Sequence, residues 1–419
     1  MSTYTMNQCN SIRSNRNNSK SWQNTIFLLY TFFVSLIYIL PFFKYVVSYK
    51  IAAILMLIPL PFLSFFDNNA FKFSVILLVF SAVSFIQNAL LGMETVDAVN
   101  EAVRNIRFFL PALFGYAVLN RREEKRSKCV FLIAFLFVIG CILLKTSMAL
   151  NKDPMIARIL AQDKSTSSAS INAYRLANIG GFEFSYMMGI LALAFLELAY
   201  YVKKSILKIV YILLYIASFY YIIQTMYTTL LILAFLGSVL IVFVNSKNLI
   251  FRICLCVFAG LFLIFLPTVL QFLVGLFKNS SVLSYKFELM LKALTDKNVN
   301  ELGRRPELIM SAIQNWIESP LFGVYDSQSN AHSLFFSLLE RNGLLGISMW
   351  IYIFIQAFKL IKNGLPLEKR DVFFIGLIFC YVFALSILNP IGYVFEVTIA
   401  AFFVVPMGIA YFAKQDACD

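Results

Sequence analysis

Apolar runs of about 20 residues recur along most of the chain, and they constrain its fold more than any other feature. A helix of roughly 20 apolar residues is long enough to cross the hydrocarbon core of a bilayer. The chain is 60% hydrophobic and only 14% charged, which leaves too little polar surface for water-soluble domains. The sequence therefore predicts an all-α, polytopic integral membrane protein.

Twelve membrane-spanning helices are predicted when a window of this length is moved along the chain. The predicted spans are residues 25–43, 46–66, 73–91, 106–119, 129–148, 180–202, 206–222, 226–244, 249–274, 343–358, 372–388 and 391–413. The fourth span is short and contains Pro111, so a broken or re-entrant helix is an alternative there. Two long polar stretches, 149–179 and 275–342, interrupt the series.

Lysine and arginine in the short loops predict how the chain is oriented. On the twelve-span plan the basic clusters fall on one side, which the positive-inside rule assigns to the cytoplasm. The clusters are Arg13, Arg16 and Lys20; Arg121, Arg122, Lys125, Arg126 and Lys128; Lys203, Lys204 and Lys208; and Lys359, Lys362, Lys369 and Arg370. Both termini are then cytoplasmic, and both long polar stretches are external loops.

The chain thus divides into six segments. They are a disordered cytoplasmic tail (1–24), transmembrane helices 1–5 (25–148), the first large loop (149–179), helices 6–9 (180–274), the second large loop (275–342), and helices 10–12 with a short cytoplasmic tail (343–419).

The net charge of +13 fits this topology and contact with anionic membrane lipid, so it does not indicate nucleic-acid binding. None of the seven cysteines lies in a predicted external loop, which argues against a disulfide framework. The chain has one histidine, and no Asp-rich or His-rich cluster accompanies the cysteines. We therefore expect neither a metal nor a cofactor.

The second loop contains an amphipathic helix with two arginines at its start. Pro306 suits the first helical turn, and apolar residues recur at helical spacing until Ser319-Pro320 ends the segment. A helix N-terminus offers N–H donors, and guanidinium groups bind phosphate oxygens in pairs. Arg304 and Arg305 are therefore candidates for binding a diphosphate, and anchoring of the helix to lipid headgroups is the alternative.

The only histidine, His332, lies just ahead of an apolar helical pattern over 334–339. Ser329 or Asn330 is predicted to cap this helix, which places His332 in the first turn. Because a helix N-terminus disfavours a cationic ring, the imidazole is expected to be neutral and able to accept a proton. A structural histidine is the alternative. Glu340 is predicted to orient a substrate hydroxyl or a neighbouring arginine, or else to be a helix-surface charge.

The first loop runs directly into a predicted span. Arg175 would lie at the external membrane surface, at the depth of a lipid diphosphate. Gly180 and Gly181 would permit a tight turn or the close approach of a ligand. Glu183 and Glu396 lie just inside the outer membrane edge, where ionisable groups are functional candidates and Glu183 is a second candidate to orient a substrate. Pairing of these acids with Arg175 or a lysine is the alternative.

Residues 303–346 resemble the signature region of the O-antigen ligase and Wzy-type O-antigen polymerase superfamily. An arginine-bearing helix with Trp316 leads to a Pro-x-x-Gly turn at 320–323. A second helix, introduced by His-Ser at 332–333, leads to a glutamate and a glycine at 340 and 343. The detailed match is confined to this region, and the twelve-span plan with two large loops extends it loosely to the rest of the chain.

The resemblance implies a metal-independent membrane glycosyltransferase with a GT-C-like fold, in the inner (cytoplasmic) membrane of a bacterial cell. It would act at the periplasmic face on undecaprenyl-diphosphate-linked oligosaccharide, with a chain-length regulator protein as a candidate partner. Carried over residue by residue, Arg305, Arg304 and Arg175 would hold the diphosphate leaving group. His332 would be the catalytic base on the acceptor hydroxyl.

Several functions stay open on these residues. A polymerase would transfer the growing glycan onto the next lipid-linked repeat unit, and a ligase would transfer it to the lipid A core. We favour the polymerase because such polymerases are the more divergent group and this chain matches only the bare motif. A polysaccharide transporter or flippase fits less well, since the ionisable residues crowd the external edge and the two halves look unrelated. A purely structural assembly protein would not need the arginines and the histidine.

Overall fold

The computed structural model describes residues 29–47, 67–120, 125–153, 169–225, 227–278, 304–324, 332–364 and 369–413, with isolated positions between them (26, 51, 54, 55, 58, 156, 160, 284, 285, 287, 288 and 290–292). These residues form helices and connecting turns, and no strand occurs among them. The predicted all-helical fold is therefore confirmed for this part of the chain.

Short connections join most of the helices. They are α1 (Leu29–Ile39), α2 (Pro41–Val46), α3 (Asn68–Leu90), α4 (Thr95–Asn120), α5 (Lys125–Lys152), α6 (Ala169–Leu176), α7 (Phe182–Tyr201), α8 (Ser205–Thr225), α9 (Thr228–Asn245), α10 (Leu249–Ile264), α11 (Leu266–Leu276), α12 (Arg304–Glu318), α13 (Leu334–Gly364), α14 (Lys369–Leu388), α15 (Phe395–Ile399) and α16 (Val405–Ala413). A 3-10 turn (Ile391–Tyr393) precedes α15, and a π-helical turn (Ala400–Val404) joins it to α16.

Eight helices in the described part are long and apolar enough to cross a membrane, namely α3, α4, α5, α7, α8, α9, α13 and α14. The pair α10 and α11 makes a ninth if it is counted as one bent span. Two shorter apolar segments, α1 and Phe395–Tyr411, accompany them. The protein is thus an α-helical, membrane-embedded protein, and most of the predicted span 46–66 lies outside the described residues.

Several predicted spans differ from the helices that form. The first, 25–43, breaks at Leu40 between α1 and α2, and the last, 391–413, is divided into a 3-10 turn, a short helix, a π-helical turn and a second helix. The fourth span is one unbroken helix, α4, with Pro111 inside it, so the broken or re-entrant alternative is wrong. The ninth span is bent by 72° between α10 and α11, where Pro267 lacks the N–H that would continue the helix. The tenth span, 343–358, begins at a kink, because Gly343 has non-helical backbone angles (φ 60°, ψ −162°) between two helical parts of α13.

Interior and peripheral helices are distinguished by how much of each is buried. In α4 and α7, 89% and 78% of the apolar window is buried, against 17% in α8 and 28% in α9. The peripheral helices therefore present apolar side chains outward, as a lipid solvent requires. The most buried helix, α4, also has the lowest hydropathy of the eight spans. Three of its polar side chains, Arg104, Asn105 and Arg107, therefore lie inside the protein.

An aromatic core joins α4, α13, α14 and the last segment of the chain. Trp350 stacks on Phe354 at 5.3 Å between ring centroids, and Phe379 stacks on Phe402 at 4.7 Å. Such pairs stabilise a core by about 0.5–1.5 kcal/mol beyond the area they bury. Gly115 allows the close approach, because a Cβ there would overlap the main-chain carbonyl of Phe402. This core fixes the relative positions of the helices that carry the site.

Helix ends gather at two faces of the bundle. At one, which we call the histidine face, Tyr186 near the start of α7 donates a hydrogen bond to Asn389 just past the end of α14 (2.8 Å). At the other, which we call the basic face, Glu197 near the end of α7 accepts hydrogen bonds from Arg370 and Asn245, both at 2.8 Å. The turn 202–204, with Lys203 and Lys204, also lies at the basic face.

Candidate functional site

The predicted arginine helix forms as α12, which begins at Arg304 and ends at Glu318. Trp316 closes its C-terminal end by donating its indole N–H to the carbonyl of Pro320 (2.9 Å). For Arg304 and Arg305 only the backbone is described, so their predicted diphosphate contacts fall outside the described atoms. The N-terminus of α12 nevertheless supplies the N–H donors and partial positive charge on which that prediction depends.

The Pro-x-x-Gly turn after α12 docks onto α13 through backbone contacts. Val324 donates its N–H to the carbonyl of Glu340 (2.7 Å), and Leu344 donates its N–H to the carbonyl of Pro320 (2.8 Å). Gly323 and Gly343 have φ of +78° and +60°, which side chains rarely allow. The two halves of the resemblance motif, although separated along the chain, therefore form one interlocked unit.

Glu340 ties α12 to α13. Its side chain is fully buried (0% exposed), and its carboxylate accepts a hydrogen bond from the Asn315 amide at 2.6 Å. A surface charge is thus the wrong interpretation of this residue. Orientation of a substrate hydroxyl by Glu340 stays a prediction, whereas its contact with Asn315 holds the arginine helix in place.

These contacts lie on both sides of a kink in α13. Gly343 has non-helical backbone angles (φ 60°, ψ −162°), and it separates the first part of the helix, which carries Glu340, from the part that begins at Leu344. Asn315 of α12 contacts the first part, and the turn at Pro320 and Leu321 accepts hydrogen bonds from Leu344 and Leu345 of the second. His332 lies two residues before the start of the first part.

His332 is exposed and does not lie in the first helical turn. The helix begins at Leu334, and the hydroxyl of Ser333 accepts a hydrogen bond from the N–H of Phe336 (3.2 Å), so Ser333 is the N-cap. The predicted cap at Ser329 or Asn330 is wrong, because the serine adjacent to the helix takes that role. The first-turn argument for a neutral ring therefore does not apply.

The backbone of His332 is in a left-handed conformation, with φ of +47°. This region is costly for a residue with a Cβ and is found where the surroundings impose it, often at functional sites. The neighbouring residues supply that constraint: Ser333 donates to the carbonyl of Ser386 (3.2 Å), and Leu334 donates its N–H to the carbonyl of Asn389 (3.0 Å). His332 is thus held at the histidine face by bonds from the next two residues.

Asn389 connects the histidine segment to α7. Its side-chain oxygen accepts the hydrogen bond from Tyr186, which lies one helical turn after Glu183. Glu183 lies in the first turn of α7 and is half-buried, and a carboxylate there is favoured by the helix dipole. The structure therefore brings Glu183 and His332 to the same face. Gly180, just before α7, packs closely on Phe184.

A buried network of charges on α4 was not predicted. The Glu101 carboxylate pairs with Arg104 through one oxygen and with Arg341 through the other, the latter at 3.1 Å. Arg104 and Arg107 are only 6% and 8% exposed, and the guanidinium of Arg107 lies 4.4 Å from the centroid of the Phe395 ring. The cost of burying such charges is large unless they are well paired.

The sequence did hold a signal for this network. Glu101, Arg104 and Arg107 recur at a spacing of three, which places them on neighbouring positions of one helix. The fourth predicted span begins at residue 106, however, so it leaves Glu101 and Arg104 outside the membrane. The full length of α4 shows that they belong to the most buried helix, where ionisable groups indicate function by default.

The network lies next to the histidine segment. A Cβ added at Gly392 would lie 2.8 Å from a methyl carbon of Leu334 and 3.6 Å from the Nε of Arg104, so both side chains border this glycine. Glu396, in the first turn of α15, is 1% exposed and follows Phe395 directly. Glu396, which the sequence places just inside the outer membrane edge, is therefore a buried residue close to the histidine segment.

Helix α3 joins the network to the interlocked turn. The Gln87 amide donates to the carbonyls of Phe322 and Asn342, the latter at 2.9 Å. The Asn342 amide in turn donates to the side-chain oxygen of Asn88 at 3.4 Å. Helices α3 and α13 thus hold the turn through buried polar side chains, which have to be hydrogen-bonded to be stable.

Arg175 lies in the last turn of α6, and the end of that helix is firmly fixed. Asn178 adopts φ of +57° and donates its N–H to the carbonyl of Arg175 (2.9 Å), and Ile179 donates to the carbonyl of Tyr174 (3.0 Å). This is the Schellman arrangement of a helix C-terminus. The Asn178 side chain also accepts the N–H of Phe42 (3.0 Å), which attaches α6 to α2. Arg175 is half-buried.

The described contacts therefore place Glu183 and His332 at the histidine face, with Arg104 beside the histidine segment and Glu396 buried in the same region. Arg175 lies in the helix that precedes α7. Within the described part of the chain, no group of three His, Cys, Asp or Glu side chains is arranged to hold a metal ion. Acids, arginines and one imidazole are the groups available for proton transfer and for contact with an anion.

Comparisons with protein-family models, with curated proteins and with solved structures found no match to this chain.

Proposed function

We propose that this protein is a membrane glycosyltransferase that polymerises a bacterial surface polysaccharide such as O-antigen. It transfers an undecaprenyl-diphosphate-linked glycan onto the next lipid-linked repeat unit. In this proposal the membrane is the bacterial inner membrane, the histidine face is periplasmic, and the basic face and both termini are cytoplasmic, as the positive-inside rule favours. A twelve-span, GT-C-like arrangement belongs to the same proposal.

One observation supports this function above the others. The turn at Pro320 and the segment after Glu340 interlock, and the contact of Asn315 with Glu340 joins the arginine helix to the helix that His332 precedes. In this proposal the arginines at the start of α12 and His332 act at one site. That arrangement suits a reaction in which a cationic group holds a leaving diphosphate while a base acts on a hydroxyl nearby.

The residues take complementary roles in this reaction. The acceptor hydroxyl oxygen attacks the anomeric carbon of the donor sugar, a new glycosidic bond forms, and the bond from that carbon to the diphosphate oxygen breaks. His332 accepts the hydroxyl proton. Arg305, Arg304 and Arg175 stabilise the negative charge on the departing undecaprenyl diphosphate. The Glu101 network and Glu340 act as positioning groups, because they fix the helices that carry these residues.

The test is a glycan ladder from cells in which the chromosomal copy is replaced by variants. With His332→Ala or Arg305→Ala, a polymerase defect leaves surface lipopolysaccharide that carries one repeat unit. A ligase defect instead leaves no repeat on the core and accumulates lipid-linked polymer, which would assign the alternative acceptor. Ladders of normal length in both variants would contradict the catalytic assignment.

A matched control separates catalysis from insertion. Lys204→Ala removes an exposed cation at the basic face, away from the site. We expect this variant to give a normal ladder. All three variants should be present in the membrane at equal amounts, as measured by immunoblotting of the membrane fraction.

A further inference from the structure

An apolar cavity of about 220 Å³ lies between α5, α7, α8, α14 and the last segment of the chain. It is larger than the roughly 150 Å³ apolar cavity that takes up benzene in a well-studied soluble protein. Its walls include Leu136, Phe195 and Phe374. Nothing in the proposed transfer reaction uses this space, and it lies at the opposite end of the bundle from His332.

The cavity begins at the basic face and extends into the bundle. On α5 it is lined from Cys129, near the start of the helix, to Leu136, a distance of about 10 Å along the axis. Leu207 and Tyr211 line it from the first turns of α8, and Tyr411 from the last turn of α16. The ends of three helices at the basic face therefore border its entrance.

The cavity opens sideways, toward the lipid. Ile133 and Leu207 both line it, and they are 63% and 38% exposed on the outside of the bundle. They lie on α5 and α8, two helices that are largely exposed along their length. A chain from the surrounding bilayer can therefore enter between these helices without passing through water.

The polar atoms of the cavity wall do not suit a charged ligand. Cys129 and Tyr411 are hydrogen-bonded to each other, and among the residues that the structure describes no Asp, Glu, Lys or Arg side chain lines the cavity. The walls are otherwise aliphatic and aromatic. Such a site takes up hydrocarbon, because hydrocarbon gains contacts there at no cost in desolvated polar groups.

Two exposed cations lie at the start of α8 beside the entrance. Lys204 and Lys208 flank Leu207 in sequence, whereas Lys128, which precedes Cys129, is buried. The nearby acid Glu197 is buried and paired with Arg370. Basic residues at the end of an apolar pocket between helices are the arrangement that recognises an anionic lipid headgroup.

We propose that this cavity binds an anionic phospholipid, with one acyl chain in the apolar pocket and the phosphate against Lys204 and Lys208. The inference is independent of the proposed transferase activity. The ligand is a resident lipid of the basic-face leaflet, since that leaflet supplies it directly through the opening between α5 and α8.

Two glycines provide a matched test. A Cβ at Gly408 meets nothing within 4 Å, and Gly408 lines the cavity, so Gly408→Leu fills the pocket without a backbone clash. A Cβ at Gly140 on α5 also meets nothing within 4 Å, but Gly140 does not line the cavity. Gly140→Leu is therefore the same substitution at a neutral position. A third variant, Lys204→Ala with Lys208→Ala, changes only exposed side chains.

The measurement is native mass spectrometry of the purified, delipidated full chain titrated with phosphatidylglycerol, phosphatidylcholine or undecaprenyl phosphate. We expect the wild type and Gly140→Leu to bind phosphatidylglycerol equally, and Gly408→Leu to bind it at least tenfold more weakly. The double lysine variant should lose the preference for phosphatidylglycerol over phosphatidylcholine. Equal phosphatidylglycerol binding by the two leucine variants, equal binding of the two phospholipids by the wild type, or tighter binding of undecaprenyl phosphate would each overturn the proposal.

Discussion

Gly323 and Gly343 meet backbone to backbone at the junction of the arginine helix and the histidine helix. A Cβ at Gly343 would lie 2.7 Å from the amide nitrogen of Gly323 and 2.5 Å from the carbonyl of Leu321. Both glycines also have positive φ. Only glycine combines a positive φ with the absence of a Cβ at this backbone contact. The spacing of the two glycines in the motif therefore has a structural cause.

The first prediction concerns this contact. Gly343→Ala should lower the free energy of unfolding by about 1–3 kcal/mol, because alanine is strained at φ of +60° and overlaps the facing main chain. Gly140→Ala, in the open interior of α5, should raise it by about 0.5–1 kcal/mol. Thermal unfolding in detergent micelles measures both. Equal melting temperatures for the two variants would contradict the interlocked turn.

The second prediction concerns the buried ion pairs of Glu101. Glu101→Ala should destabilise the protein by about 3–5 kcal/mol, because it removes the carboxylate that pairs with the buried Arg104 and with the partly buried Arg341. Glu288→Ala removes an exposed partner of Lys292 and should cost under about 1 kcal/mol. The same unfolding measurement compares them. A loss for Glu101→Ala no larger than that for Glu288→Ala would show that the network does not hold α4 and α13 together.

The third prediction separates the chemistry of His332 from its backbone conformation. Asparagine tolerates the left-handed region, so His332→Asn should leave the melting temperature within a degree or two of wild type while abolishing polymer formation. His332→Gly should be slightly more stable and equally inactive. The ladder assay and thermal unfolding are measured on the same preparations. Retained activity in His332→Asn would make the residue structural.

The fourth prediction concerns the hydrogen bond that anchors the histidine segment. Tyr186→Phe and Tyr215→Phe each remove one hydroxyl donor, to Asn389 and to Ser238 respectively. Each should cost about 0.5–1.5 kcal/mol. Only Tyr186→Phe should also lower the transfer rate, because Asn389 holds Leu334 and with it His332. If both variants keep full activity, Asn389 is not a positioning residue.

Much of the fold follows from hydrophobicity alone. The predicted span 180–202 corresponds to α7 (Phe182–Tyr201), and 226–244 corresponds to α9 (Thr228–Asn245). These helices are apolar over most of their length, since most of their residues contact lipid or other apolar helices. Where a helix carries several charges close together, as α4 does at Glu101, Arg104 and Arg107, the same criterion cuts it short, whereas the single buried Glu197 of α7 does not interrupt the span. Burial of paired charges depends on partners from neighbouring helices. A hydropathy window covers one stretch of the chain and therefore holds no information about those partners.

The candidate site was predicted in part. The arginine helix and its end at Ser319 follow from local periodicity and proline chemistry, and α12 forms there. The contacts of Asn315 with Glu340 and of Tyr186 with Asn389 join residues far apart in the chain, so no local pattern encodes them. The N-cap at Ser333 does not follow from the sequence, because several serines and asparagines precede the helix and only the folded chain selects among them.

The most direct measurement is polymer formation by the purified chain in micelles, supplied with undecaprenyl-diphosphate-linked repeat unit extracted from the same cells. The products are resolved on a gel, with EDTA present. We predict a ladder of polymer with the wild type and with Lys204→Ala, and single repeat units with Arg305→Ala and with His332→Asn. The account is contradicted if the wild type leaves the repeat units unjoined under these conditions, or if both site variants produce the same ladder as the wild type.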